Sequence, residues 1–120
     1  MQNKTLTKDE TEASVPKIYA FQDKRYPGWI KVGMTMRDPE VRVREQYSTV
    51  IPYGELPYEI VFEADAITND KQYFSDHDIH YILSSKGILR GYSEWFRCSV
   101  KDIEDAVKTI KGDNYELLRS

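Results

Sequence analysis

Short apolar segments alternate with polar punctuation along this chain in a way that separates strands from helices. Lys17-Ile18-Tyr19-Ala20-Phe21 and Trp29-Ile30-Lys31-Val32-Gly33-Met34-Thr35 are apolar-rich. Between them Asp23-Lys24-Arg25-Tyr26-Pro27-Gly28 is turn-forming, so the pair reads as a β-hairpin. Strand side chains alternate faces, which sends Ile18, Ala20, Ile30 and Val32 to a core and brings Tyr19 and Lys31 out together on the other face. Asp38-Pro39-Glu40 then opens a helix, with the aspartate as cap and the proline in the first turn. A loop over residues 48–57, punctuated by Pro52, Gly54 and Pro57, leads to the alternating Tyr58-Glu59-Ile60-Val61-Phe62-Glu63-Ala64, a third strand. A second helix fits residues 69–85, with Asn69 or Asp70 as cap, Tyr73, Phe74, Ile79, Ile82 and Leu83 on one side, and Gly87 as its stop. Glu94-Trp95-Phe96-Arg97 reads as a short extended piece, and Ser99 caps a last helix with Ile103, Val107 and Ile110 spaced for burial. The expected class is α+β: a small, mostly antiparallel, three-stranded sheet flanked by helices.

A chain of 120 residues suits one core and not two. Residues 1–15 are polar and charged and read as a flexible leader, residues 16–112 as the domain and residues 113–120 as a tail. The tail's ending suits a module cut from a longer protein. No apolar run approaches the roughly 20 residues needed to cross a bilayer, and the first residues lack a secretion signal, so the expectation is a cytoplasmic chain with no membrane partner. The single cysteine, Cys98, excludes an internal disulfide and a cysteine-rich zinc site. Nothing singles it out as a nucleophile, and no glycine-rich phosphate loop appears.

Charge changes the picture. The whole chain carries −3, but residues 17–44 hold seven cations (Lys17, Lys24, Arg25, Lys31, Arg37, Arg42, Arg44) against Asp23, Asp38 and Glu40. That is a local +4, leaving −7 elsewhere. Exposed charge acts over a Debye length of roughly 8–10 Å, so a local patch matters more to a phosphate than the overall pI. The same charges also read as a solvated face, and Tyr19 as a half-buried strand aromatic.

Ile18-Tyr19, the Lys31-Val32-Gly33-Met34-Thr35 element, a helical Arg42, the Asp76/His80 pair and Glu94-Trp95-Phe96 together resemble the GIY-YIG nuclease superfamily, in its phage- and helicase- or restriction-associated branch. The resemblance covers roughly residues 16–110. It implies a metal-dependent endonuclease that hydrolyses DNA phosphodiester bonds with one divalent ion, Mg²⁺ or Mn²⁺. It also implies a DNA partner, with a helicase or restriction domain in the same or a neighbouring chain. By carry-over Tyr19 serves as base or water-orienting group, with Lys31 beside it to lower its pKa, and Arg42 binds phosphate through a planar guanidinium. Gln46, one turn after Arg42, orients water. Gly33 lets substrate or the following turn approach the backbone, Thr35 offers a hydroxyl, and Arg37 and Arg44 position phosphates. Asp76 holds the metal. Asp78, two residues on, does not share its helix face, whereas His80 does: the pair offers ligands to a transition metal, or His80 supports Asp76 by a hydrogen bond and packs beside Trp95. Glu94 is an alternative carboxylate.

Three positions depart from the pattern the resemblance implies: Lys31 stands for a tyrosine, Gln46 for a histidine and Asp76 for a glutamate. They motivate an alternative, a catalytically degenerate fold kept as a nucleic-acid-binding or targeting module. A protein-interaction module is a third reading, motivated by the acidic remainder and by aromatics at Tyr53 and Tyr58.

Overall fold

The structure is a computed structural model that describes residues 15–47, 54–112 and 115–117. Most of the expected leader, Pro52 and Tyr53 of the expected loop and the end of the tail lie outside these residues. The chain order is β1 (Lys17–Asp23), β2 (Trp29–Thr35), α1 (Pro39–Glu45), β3 (Tyr58–Asp65), α2 (Asp76–Ser85), β4 (Trp95–Arg97) and α3 (Val100–Lys111). The fold is α+β with a four-stranded sheet of order β3-β1-β2-β4, each neighbouring pair antiparallel. The expected three strands are therefore one too few: Trp95–Arg97 pairs with Trp29–Lys31 and forms an edge strand. Three residues are too short for a period-two pattern to declare itself.

The pleat divides the chemistry as alternation predicts. Ile18, Ala20, Ile30, Val32 and Phe96 point to one face, where Ile79 and Leu83 of α2 and Ile103, Ala106 and Ile110 of α3 cover them. All of these are completely buried, and burying an aliphatic side chain contributes about 2 kcal/mol. Tyr19, Phe21, Trp95, Tyr58 and Ile60 occupy the opposite face with Val43 and Tyr47 from the α1 region. Tyr58 is thus a core residue, 7% exposed, and no longer supports a protein-docking surface. Leu117 is buried in the larger cluster.

Helix starts follow local chemistry. Asp38 caps α1 by accepting from the Glu40 amide, with Pro39 at the first position. Ser99 and Asp102 form a capping box on α3. The second helix begins later than expected, at Asp76 and not at residue 69, because Ser75 and Asp78 form its capping box. Residues 68–71 instead close a turn, with the Lys71 amide donating to the Thr68 carbonyl and Lys71 at φ +70°. Tyr73 falls in an isolated bridge to Ile67 and is exposed, off the helix face expected for it.

Candidate functional site

Tyr19 and Gly33 are cross-strand partners in the β1–β2 hairpin. The Tyr19 ring lies over Gly33 so closely that a Cβ there would stand 2.5 Å from the phenol oxygen and 2.7 Å from Cζ. The approach expected at Gly33 is real, but this chain's own tyrosine makes it. Phe21 stacks beside Tyr19 at a centroid separation of 6.3 Å, and Tyr19 is only 2% exposed. Burial pushes its phenol above the ordinary range, opposed first by Arg42, with Glu94 raising it, the Gln46 amide lowering it and Asp76 raising it. Unliganded, the hydroxyl is neutral.

Lys31 emerges on the same face as expected, but its Nζ donates to Gln46 Oε1 at 3.0 Å. The cation that favours Tyr19 phenolate is Arg42, which corrects the expectation that Lys31 would do so. Burial lowers the Lys31 pKa; Glu94 opposes this and Arg42 adds to it. Because Lys31 can only donate, it fixes the Gln46 amide orientation. Among the described residues Gln46 Nε2 is then buried without a hydrogen bond of good geometry, although the amide lies close enough to the Tyr19 hydroxyl to lower its pKa. Tyr19, Lys31, Arg42 and Gln46 are brought together by one strand pair and one short helix.

The cations of residues 17–44 do not form one patch. Lys17 pairs with Asp65, Lys24 with Glu55, Arg25 with Asp23, Arg37 with Glu45 and Arg44 with Glu40. Lys31 and Arg42 are the two without a carboxylate partner among the described residues; Arg42 acts on Tyr19, and Lys31, on the same sheet face opposite Phe21, is bonded to Gln46. Arg37 and Arg44 sit at solvent in those ion pairs. The Arg37 guanidinium holds Glu45 through two bonds, at 2.8 and 2.6 Å. Thr35 is buried, and its Oγ1 accepts from the Arg37 amide at 3.0 Å, which ties down the turn after β2.

Asp76 opens α2 with a side chain 11% exposed. Among the described residues no hydrogen-bond donor reaches its carboxylate; the nearest side-chain nitrogens are the Nε2 atoms of His77 and His80, each 4.0 Å away. His80 is committed elsewhere. Its Nε2 lies 3.0 Å from the Val32 carbonyl, which only accepts, so that nitrogen carries the proton and cannot ligate a metal. Burial holds the His80 pKa below its usual value, against the Val32 bond and Asp76. Its ring tilts against Phe96 at 5.2 Å, not against Trp95 as expected. Asp78 is a structural carboxylate, capping Ser75 and accepting from Tyr115. Burial raises the Cys98 thiol to about 11, which leaves it unreactive.

Among the described residues no three His, Cys, Asp or Glu side chains surround a common point. That donor set does not fit a closed zinc site. One carboxylate with solvent is a set that suits magnesium or manganese, and Asp76, its side chain 11% exposed, could supply that carboxylate.

The α+β domain thus sets Lys31, Arg42 and Gln46 on the face of the sheet that carries Tyr19, with Asp76 within electrostatic reach of that tyrosine. The chain belongs to the T5orf172 domain family, whose model matches residues 17–111. This corrects the resemblance to the GIY-YIG superfamily, because the matching family is a different one. No curated protein and no solved structure matches the chain. No helix among the described residues is long and apolar enough to cross a membrane.

Proposed function

We propose that this chain is a divalent-metal-dependent endonuclease domain that hydrolyses DNA phosphodiester bonds in the cytoplasm, in a phage, mobile-element or restriction/helicase setting. The observation that carries the reading is the distribution of unmet bonding capacity. Arg42, Lys31 and the Gln46 Nε2 amide offer donors, Asp76 offers a carboxylate, and Tyr19 lies within the field of both groups. Among these groups Gln46 Nε2 is the buried one left unsatisfied, and buried polar groups are ordinarily satisfied; part-exposed Lys31 and Arg42 beside it suit a phosphate, and Asp76 suits a hydrated cation.

In this reading Arg42 grips two non-bridging phosphate oxygens and Lys31 neutralises charge that develops on them. Gln46 donates to a phosphate oxygen or to the attacking water. Tyr19, as a neutral phenol, orients that water, and Arg42 is the group that favours its ionisation when the site is filled. Asp76 would hold Mg²⁺ or Mn²⁺, which supplies Lewis-acid stabilisation of phosphoryl charge. Choice of target falls to a partner, such as a helicase or restriction domain, because phosphate contacts position and do not specify.

A plasmid nicking assay with Mg²⁺ or Mn²⁺ tests the reading. Cleavage by wild type should be abolished by EDTA and should fall at least about 100-fold in Arg42→Ala and Asp76→Ala. Absence of cleavage by folded wild type across metals and DNA forms would sink it. The raised Tyr19 phenol and the single clear carboxylate favour a second reading, a degenerate nucleic-acid-binding module. That reading requires DNA affinity that falls steeply with salt, without cleavage.

A further inference from the structure

Beside the site, β2 and β4 build a feature the hydrolytic reading does not use. Trp29 faces Arg97 and Lys31 faces Trp95 across this strand pair, whereas Ile30 and Phe96 between them turn to the core. Trp29, Lys31, Trp95 and Arg97 therefore share one face. Tyr26 rises beside them from the hairpin turn and Tyr92 from the loop before β4, and the aromatic walls line an open groove of about 490 Å³. That volume lies within the range of small-molecule pockets, about 300–1,000 Å³. Gly91 keeps the groove open on one side: a Cβ there would lie 2.9 Å from Trp29 Cζ3, so the indole rests directly against backbone. Tyr26 is 51% exposed and Tyr92 94% exposed. A tyrosine that far into solvent contributes almost nothing to the core.

We propose that this slot takes one unpaired base of single-stranded DNA, beside the phosphate held by Lys31 and Arg42. The location of that phosphate rests on the hydrolase reading; the slot does not. Aromatic faces stack on any base, and the cations at the rim select an occupant that is both flat and anionic. The Arg97 guanidinium sits 5.9 Å from the Trp29 ring centroid, and Lys31, opposite Trp95 in register, sends its Nζ to Gln46 at 3.0 Å, on the side where the phosphate would lie. Neither cation has a carboxylate partner among the described residues. A base inside a duplex is covered by its neighbours and cannot enter, so the slot selects single strands, frayed ends or flaps.

Trp29 and Trp95 are the chain's two tryptophans, so intrinsic fluorescence reads the slot directly. In EDTA, a single-stranded thymidine oligonucleotide should quench it saturably. A duplex of equal length and an abasic strand of equal length should not. Tyr92→Ala should weaken single-strand binding about 5- to 20-fold, the share of one stacking wall, and leave abasic-strand affinity unchanged. Equal quenching by duplex or abasic strand would overturn the slot. So would wild-type single-strand affinity in both Tyr92→Ala and Tyr26→Ala, or tighter saturable quenching by a proline-rich peptide. Quenching by a protein that nicks nothing supports the slot while removing the hydrolase reading. Nicking without quenching overturns the slot alone.

Discussion

Two buried carboxylates, Asp23 at the hairpin turn and Asp76 at the start of α2, show how the same chemical group is used in opposite ways. Asp23 accepts four hydrogen bonds: from the Arg25 amide, Nε and Nη2 at 2.9, 2.9 and 2.6 Å, and from the Tyr47 hydroxyl at 2.9 Å. Arg25 and Tyr47 hold it well below the usual carboxylate range, at about 2. Asp76 has no comparable partner. A satisfied buried carboxylate fixes structure, here the hairpin turn against the chain just after α1. Asp76, its side chain 11% exposed and without a hydrogen-bond donor among the described residues, keeps its oxygens open to solvent or a ligand.

The sharpest way to break this contrast is Asp23→Ala, which strands the Arg25 and Tyr47 donors. It should lower the free energy of unfolding by about 2–3 kcal/mol in a urea titration, discounted because Arg25 is partly exposed. A loss below about 0.5 kcal/mol would mean that the cluster is not structural. Next, Gly33→Ala should cost about 1–3 kcal/mol, since the buried Tyr19 ring must shift to admit the methyl. A thermal melt reads this, and an unchanged melting temperature would count against the close ring–backbone contact.

Acid sharpens the same comparison. The Asp23 pKa is lowered on folding, so its contribution is present above the unfolded value near 4 and is lost as pH falls from about 4 to about 2. Stability should drop by about 1–2 kcal/mol over that window, and the drop should be absent in Asp23→Asn. The smallest effect belongs to Asp76→Asn. Metal-free stability should change by less than about 0.5 kcal/mol or rise, because no partner is lost; a loss like that of Asp23→Ala would remove Asp76 from the site.

How much of this was legible depends on how local each signal is. Asp38-Pro39 and Ser99 announced their helices because capping acts within three residues. Alternation alone placed Tyr19 and Lys31 on one face. The start of α2 was also written locally, as Ser75 and Asp78 in capping-box spacing, but Asn69 and Asp70 offered an equally good cap six residues earlier. What the sequence could not carry was pairing across distance. That Arg37 would spend its guanidinium on Glu45, that Tyr47 would reach Asp23, and that Tyr19 would lie on Gly33 all depend on how the hairpin and α1 come together. For the same reason the net charge of residues 17–44 overstated the basic surface, since five of its seven cations are closed by carboxylates.

The end of β4 has a consequence for how this domain meets copies of itself. Past Lys31 the edge of β2 has lost its strand neighbour, a bare ladder of the kind on which chains zip together into aggregates. Here Val32 has neither main-chain group to offer: its N–H goes to the Glu94 carbonyl at 3.1 Å and its carbonyl is taken by His80 at 3.0 Å. An incoming strand would find its first anchoring point already occupied. The same two contacts that tie Glu94 and His80 in place close the first main-chain position of that edge beside the site.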